Sequence, residues 1–287
     1  MIKVALPNKG QLFEPTMDIL AACGYKVSKS LRSLSSLDAE NGVEFYFLRP
    51  GDIPYYVANG TLDAGMTGMD FVKEKCETTN IGSLPTRLMD LNYGHSKLCV
   101  AIPESNTSIG SVKDLNSTKI RIATSFPNIV RKEFPDAAIV ELEGAVEISI
   151  KLGIADAIVD IVETGTTLKQ AGLQIIGEPL YRSQAALYAH PGREDQAEIV
   201  VLKSRIQGKL LAMEYVMVEY DAPEGVLKQA CLITPGIESP TVTSLQKAGW
   251  LSVKSMVKRR ESQKIMDELS KLGCKGILLT SIDSVRI

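Results

Sequence analysis

Apolar and polar positions along this chain follow two periods, and the switches between them mark its elements. Residues 2–6 form a short apolar run, as a buried strand does. After Pro7-Asn8-Lys9-Gly10 the spacing lengthens to that of an amphipathic helix reaching about Cys23, with Gly24 as its stop. Residues 43–48 predict a second strand ending at Arg49-Pro50, and Asp52 is placed to cap a helix over 53–59 that Gly60 ends. Residues 62–68 predict a buried strand that runs through Met69-Asp70 into another helix. Such strand–helix alternation indicates an α/β sheet with parallel pairing.

A second α/β unit begins near Lys97. It has strands at 98–102, 120–124 and 138–142, a capped turn at 111–115 and a helix at 129–134. A helix from Glu147 and a strand over 155–162 follow, and 174–178 closes the unit. Residues 185–189 return as a strand before a helix over 194–209. A chain that leaves one lobe, builds another and comes back makes two lobes facing a cleft, where ligands bind outside the carboxyl ends of strands. From 210 the order becomes strand 211–220, helix 224–231, strands 241–245 and 251–258, helix 262–272 and strand 276–280. That βαββαβ order is the ferredoxin-like unit. The expected domains are lobe I at 1–92, completed by 182–209, lobe II at 93–181, and the α+β tail at 210–287. A tail of this kind binds an effector, mediates oligomers, or simply packs.

Composition narrows the function classes. The 287 residues carry 32 basic and 34 acidic side chains, which argues against a nucleic-acid binder with its basic stripe. Five cysteines without a Cys-x-x-Cys pair fit a reducing compartment better than a disulfide framework. With only His95 and His190, a protein-only zinc site is not expected. No apolar run is long enough to span a bilayer and the first residues read as a strand, so a cytoplasmic location is expected.

The stretch from Glu147 to Leu168 is the richest in candidate chemistry. Asp156 and Asp160 interrupt its apolar strand and, four apart, point to one side of it. Thr164-Gly165-Thr166-Thr167 then offers hydroxyl donors, a glycine that lets the backbone approach a ligand, and amides at a helix start. Together these make an anion cradle. Carboxylates beside a phosphate cradle suit a sugar phosphate, the loop holding the phosphate and the acids accepting from ribose hydroxyls. The plainer alternative is a strand–helix turn with a Thr N-cap.

Lys9 and Arg49 each follow a strand and so can meet phosphates in a cleft, or remain solvated surface charges. Asp70 follows Thr67-Gly68-Met69 and reads equally as an N-cap. Tyr25, Tyr46, Tyr55 and Tyr56 are either half-buried core or stacking partners for a purine. In the tail, residues 234–241 form a Pro-rich loop with hydrogen-bonding groups, and Asp221 can bind an ammonium group or cap the helix after Pro223.

These residues together resemble the ATP phosphoribosyltransferase family in its long form, nearly end to end. The most specific part is Glu147-x5-Gly153-x-Ala155-x2-Ile158-x-Asp160-Ile161-x2-Thr164-Gly165-x-Thr167-Leu168. Agreement extends to Pro-Asn-Lys-Gly at 7–10, Phe-Leu-Arg-Pro at 47–50, Thr-Gly-Met-Asp at 67–70 and Arg-Ile-Ala-Thr at 121–124. Phe-Pro-Asn at 126–128, Gly-Ala-Val-Glu at 144–147 and Ile-Thr-Pro-Gly-Ile-Glu-Ser-Pro-Thr at 233–241 complete it.

The resemblance implies two lobes of the periplasmic-binding-protein type and the first step of histidine biosynthesis, with ATP and phosphoribosyl pyrophosphate as substrates and Mg²⁺ present. It implies a homo-oligomer, dimer to hexamer, and histidine as feedback inhibitor, with AMP as a further candidate. Under it, Glu163, Thr164, Gly165, Thr166, Thr167 and Leu168 cradle the 5′-phosphate and Asp160 holds the ribose hydroxyls. Glu147 and Asp70 place the ribose or a Mg²⁺-bound diphosphate, and Lys9 and Arg49 neutralise phosphate charge. Asp221, Ser239 and Thr241 match the family's histidine positions, with Ile237, Met256 and Gly276 lining that pocket. The competing readings are a two-lobed small-molecule sensor and a catalytically silent regulatory subunit.

Overall fold

The first strand, β1 (Ile2–Pro7), is buried at every position but Lys3, because parallel neighbours flank it and helices cover the sheet. This computed structural model describes residues 1–29, 33–77, 83–106, 108–117, 119–162 and 165–286. Two units divide the chain: Met1–Ala21 with Tyr25–Lys203, and Ala22–Gly24 with Ser204–Ile287.

Within the first unit, lobe I continues through α1 (Phe13–Ala22), β2 (Ser35–Asp38), β3 (Val43–Leu48), α2 (Ile53–Ala58), β4 (Ala64–Gly68), α3 (Met69–Val72) and β5 (Thr86–Asp90). A wide π-helical turn, Lys73–Glu77, extends α3. Lobe II comprises β6 (Ser96–Pro103), β7 (Arg121–Thr124), α4 (Pro127–Glu133), β8 (Ala138–Glu141), α5 (Ile148–Lys151), β9 (Ala157–Val162), α6 (Thr166–Gln170) and β10 (Leu173–Ser183). The chain then re-enters lobe I as β11 (Ala185–Ala189), followed by α7 (Ala197–Glu214). The sheet orders are β2-β3-β1-β4-β11-β5 and β10-β6-β9-β7-β8. This is the two-lobed arrangement of the periplasmic-binding-protein type.

The two crossings between lobes are tied side by side, with Leu91 N–H donating to Ala185 O at 3.0 Å and Ala185 N–H to Tyr93 O at 2.9 Å. The β1, β3 and β4 strands are parallel and end together, as do β7, β8 and β9. Each lobe therefore presents one row of carboxyl-terminal strand ends.

The second unit is built from β12 (Tyr215–Pro223), α8 (Leu227–Ile233), β13 (Thr241–Ser244), β14 (Trp250–Lys258), α9 (Ser262–Lys271) and β15 (Lys275–Ser281). Its sheet order, β13-β14-β12-β15, is entirely antiparallel, the ferredoxin-like topology. Val216, Val218, Tyr220 and Val253 pack on one face with Ala230, Ile265 and Leu269 of the helices.

Several local expectations are corrected. The strand expected over 211–220 starts only at Tyr215, because α7 runs on to Glu214 through good helix formers. Arg259 steadies that end by donating from Nε to Met213 O at 3.1 Å. Asp52 makes no side-chain cap, since its helical backbone (φ −91°, ψ −23°) turns the carboxylate away from the first-turn amides. Strands β2 and β5 were not anticipated. The turn at Ser111 does form as expected, with a reciprocal Ser111–Asp114 capping box.

Candidate active site

Strand β9 carries the site. Antiparallel β6 and parallel β7 flank it, and Ala157, Ile158, Val159 and Val162 are buried. Asp160 near its carboxyl end is the polar break in this apolar strand. Beyond it, Gly165 adopts φ +78° and opens α6, a conformation that costs an L side chain about 1 kcal/mol or more. Glu163 and Thr164 lie outside the described residues.

A cavity of about 260 Å³ is lined by Glu147, Asp160, Ile161, Val162, Gly165, Thr167 and Leu168. Gly165, Thr167 and Leu168 of the expected cradle thus share one cavity with both expected carboxylates of lobe II. Thr166 does not line it; with Gly165, Lys169 and Gln170 it borders a separate groove. The amides of Thr167 and Leu168 belong to the first turn of α6, which has no intrahelical acceptors.

Burial pushes the Asp160 carboxyl up to about 6, its neighbour Glu147 adds to this, and the Ile161 N–H at 2.8 Å opposes it. Glu147 stands at the start of α5, after a loop in which the non-glycine Ala145 holds a left-handed φ of +48°. Strained backbone of this kind persists only where packing over-determines it. Val146, fully buried, provides that packing.

Asp156 does not share the role of Asp160. It precedes β9, and its carboxylate is gripped by Arg121, from Nη2 at 2.7 Å, Nε at 3.0 Å and the backbone N–H at 2.9 Å. These bonds hold its carboxyl below the usual range.

In lobe I, Lys9 and Arg49 are exposed just past β1 and β3, whose last paired residues are Pro7 and Leu48. Asn8 N–H donates to Leu48 O at 2.8 Å, so the two cation-bearing turns are bound together. Lys29, which sequence reasoning missed, lies over the Phe13 ring at 4.6 Å and donates to Asn8 O in the same region. Asp70, at the third parallel strand end, is 5 % exposed, and its Oδ1 accepts the Ser183 hydroxyl at 2.7 Å. Desolvation raises its carboxyl, the Ser183 bond opposing. Asp70 is therefore not the cap of α3, where Gly68 stands. Among the tyrosines, Tyr25 is core, edge-on to Phe45 at 5.8 Å, while Tyr55 and Tyr56 are exposed.

In the tail, Asp221, Thr241 and Met256 lie on the sheet face away from α8 and α9. Gly276, at φ +58°, lets β15 pass close to Asp221, whose Oδ2 would stand 3.5 Å from an added Cβ. Asp221 pairs with Ser252 and Met256 is four residues further along, about 13 Å, so these two do not meet within one chain. Ser239 and Ile237 belong to the exposed loop before β13.

A family model described as ATP phosphoribosyltransferase matches residues 49–208, and one described as HisG, C-terminal domain, matches 212–284. Curated relatives named ATP phosphoribosyltransferase align end to end. That of Salinibacter ruber is 41 % identical over 100 % of both chains, that of Corynebacterium jeikeium 43 % over 100 % of both, and that of Mycobacterium tuberculosis 42 % over 98 % of both. The chain belongs to the ATP phosphoribosyltransferase family. A solved structure of a member, the ATP phosphoribosyl transferase (HisG:HisZ) complex from Thermotoga maritima, superposes with TM-score 0.61 at 28 % identity. It covers 72 % of this chain and 96 % of that one. Among the described residues, no helix is long and apolar enough to cross a membrane.

Against this family background, Ser183 and Glu74 were not singled out from sequence. Both act on residues more than fifty positions away, which no local spacing reveals.

Proposed function

We propose that this chain transfers the phosphoribosyl group of phosphoribosyl pyrophosphate to N1 of ATP, giving N1-(5-phosphoribosyl)-ATP and pyrophosphate, the first step of histidine biosynthesis. The observation that supports it most is the single cavity joining Glu147 and Asp160 to the start of α6. The 5′-phosphate sits on the Gly165–Leu168 turn, and Asp160 accepts from the ribose hydroxyls. Thr167 adds its hydroxyl on the cavity side.

Displacement at an anomeric carbon develops oxocarbenium character, so positioning and charge stabilisation contribute more than a protein nucleophile would. The adenine ring nitrogen brings its own lone pair, and no strong base is needed. Glu147 and Asp160 favour positive charge developing on the sugar. Lys9 and Arg49 favour the negative charge of the leaving diphosphate or of the ATP phosphates.

Mg²⁺ fits the site as an ion shared with substrate. Among the described residues no group of three His, Cys, Asp or Glu could hold a metal. Mg²⁺ commonly binds through one or two carboxylates plus substrate phosphates, and Glu147 with Asp160 supplies such a pair. Asp70, whose Oδ1 accepts the Ser183 hydroxyl, is not counted in this pair. When bound, the ion offsets charge on the diphosphate.

Histidine binds the tail through Asp221, Ser239 and Thr241, with Ile237 and Gly276 around it and Met256 brought by a second copy of the chain, and favours a tighter, inactive hexamer of this chain over its dimer. Feedback between separate sites requires two states that the effector binds unequally. AMP competes in the cleft as a nucleotide analogue.

One assay tests the whole reading: purified chain with ATP, phosphoribosyl pyrophosphate and Mg²⁺, following pyrophosphate release and product absorbance, with and without histidine. Pyrophosphate release that depends on both substrates is the expected result. Its absence rejects the transfer reading.

A further inference from the structure

Helix α4 starts without a cap of its own. Phe126 occupies the N-cap position and Pro127 the first turn, so no local side chain meets the amides of Asn128 and Ile129. The missing acceptor comes from the other lobe. Glu74 Oε1 accepts Asn128 N–H at 2.9 Å and Oε2 accepts Ile129 N–H at 2.9 Å, while the Asn128 side-chain amide donates back to Glu74 O at 3.1 Å. Glu74 is 1 % exposed, so this carboxylate has left water to make the contact. Only well-formed, charge-assisted bonds offset such a transfer.

Glu74 does not act alone. Starting at the carboxyl end of β4, the same short segment contributes further contacts of this joint. Asp70 N–H donates to Ser183 Oγ at 3.0 Å, and the Phe71 and Phe126 rings lie 5.9 Å apart at 32°. Lys73 Nζ stands 4.3 Å over the Tyr181 ring. The π-helical turn at Lys73–Glu77 changes the helical phase where Glu74 must point across, and such turns occur frequently at functional positions.

The segment leaves the strand-end row of Lys9 and Arg49. It lands on α4, which leaves β7, and β7 is paired with β9 at Thr124↔Val159, one residue before Asp160. We infer that Glu74 is a positioning residue for the transfer: seated on the first turn of α4, it holds the cationic strand ends of lobe I in register with the sugar-phosphate cavity of lobe II. This rests on the transfer reading above. The cavity itself is built from lobe II alone, so donor binding and turnover respond differently when the joint is cut.

The test uses the full chain with Glu74→Ala and Glu74→Gln. Donor affinity is measured calorimetrically with phosphoribosyl pyrophosphate, turnover from pyrophosphate release, and folding from the thermal transition. A displacement of about 1 Å between reacting groups costs on the order of 10²-fold. Glu74→Ala is therefore expected to lower kcat about 30–100-fold while donor Kd stays within about threefold. Glu74→Gln, keeping one acceptor and the side-chain volume, is expected to lose about 10-fold in kcat, and it carries the comparison alone if the alanine variant fails to fold. Unaltered kcat in a folded variant overturns the inference, and so does a parallel loss of donor affinity and kcat, which marks general damage. Failure of the unaltered chain to turn over ATP and phosphoribosyl pyrophosphate instead rejects the transfer reading itself.

Discussion

Asp160 holds a carboxyl raised to about 6 in a cavity where, on the proposed function, it accepts ribose hydroxyls, so its ionisation links activity to pH. As the ionised form is the active one, kcat/KM of the free enzyme should fall about tenfold per pH unit below about 6 and level off above it. The stability effect has the opposite sign. The folded chain binds this proton more tightly than the unfolded chain, so the group opposes folding increasingly as pH rises from the ordinary carboxylate range to about 6, and by a constant amount beyond. Asp160→Asn should therefore raise Tm at pH 7.5 while abolishing the acidic limb and most activity; a variant with wild-type kcat/KM would remove Asp160 from the site. Arg49 provides the contrast. It is exposed just past β3, and Arg49→Ala should leave Tm unchanged while lowering kcat/KM about 10²–10³-fold if it meets leaving-group charge. Steady-state rates with each substrate varied decide this.

Strand β9 shows what an element can and cannot disclose through its sequence. Its burial, its polar break at Asp160 and the glycine that follows are all visible as letters, because they follow from strand period and backbone sterics. The alternation rule also put Asp156 on the side of Asp160, yet Asp156 precedes the strand and is claimed by Arg121 from the neighbouring β7. That partner lies 35 residues away in the chain, beyond the reach of any periodicity. The same reason hid Ser183 as the partner of Asp70, and Glu74 as the cap of α4. Strands β2 and β5 escaped notice because they add to the two outer edges of lobe I with few buried positions. Asp156→Ala should separate the two aspartates: Tm falls by a few degrees as lobe II loses the clasp at the base of β9, while kcat stays within about twofold. A large loss of kcat with an unchanged transition would return Asp156 to the ligand.

At the scale of the whole chain, the proposed regulation by histidine calls for a variant that alters the tail alone. A truncation near Leu210 would cut α7, which runs unbroken from Ala197 to Glu214 and belongs to both units. Any change it caused would mix loss of the effector site with damage to a helix of the catalytic unit. Asp221 offers a cleaner probe. It is carried by the inner strand β12, faces away from the helices, and lies beside Gly276. Its replacement by Ala leaves the buried layer of Val216, Val218 and Tyr220 intact. Allosteric coupling is commonly worth 1–3 kcal/mol, or about 5–150-fold in affinity. Asp221→Ala should accordingly move the histidine concentration for half inhibition upward by at least about tenfold. The measurement is the ratio of rates with and without histidine in each protein, so differences in specific activity cancel. Inhibition of the variant at the wild-type histidine concentration would place the effector elsewhere, and sedimentation in the same buffers would show whether the oligomeric state follows histidine.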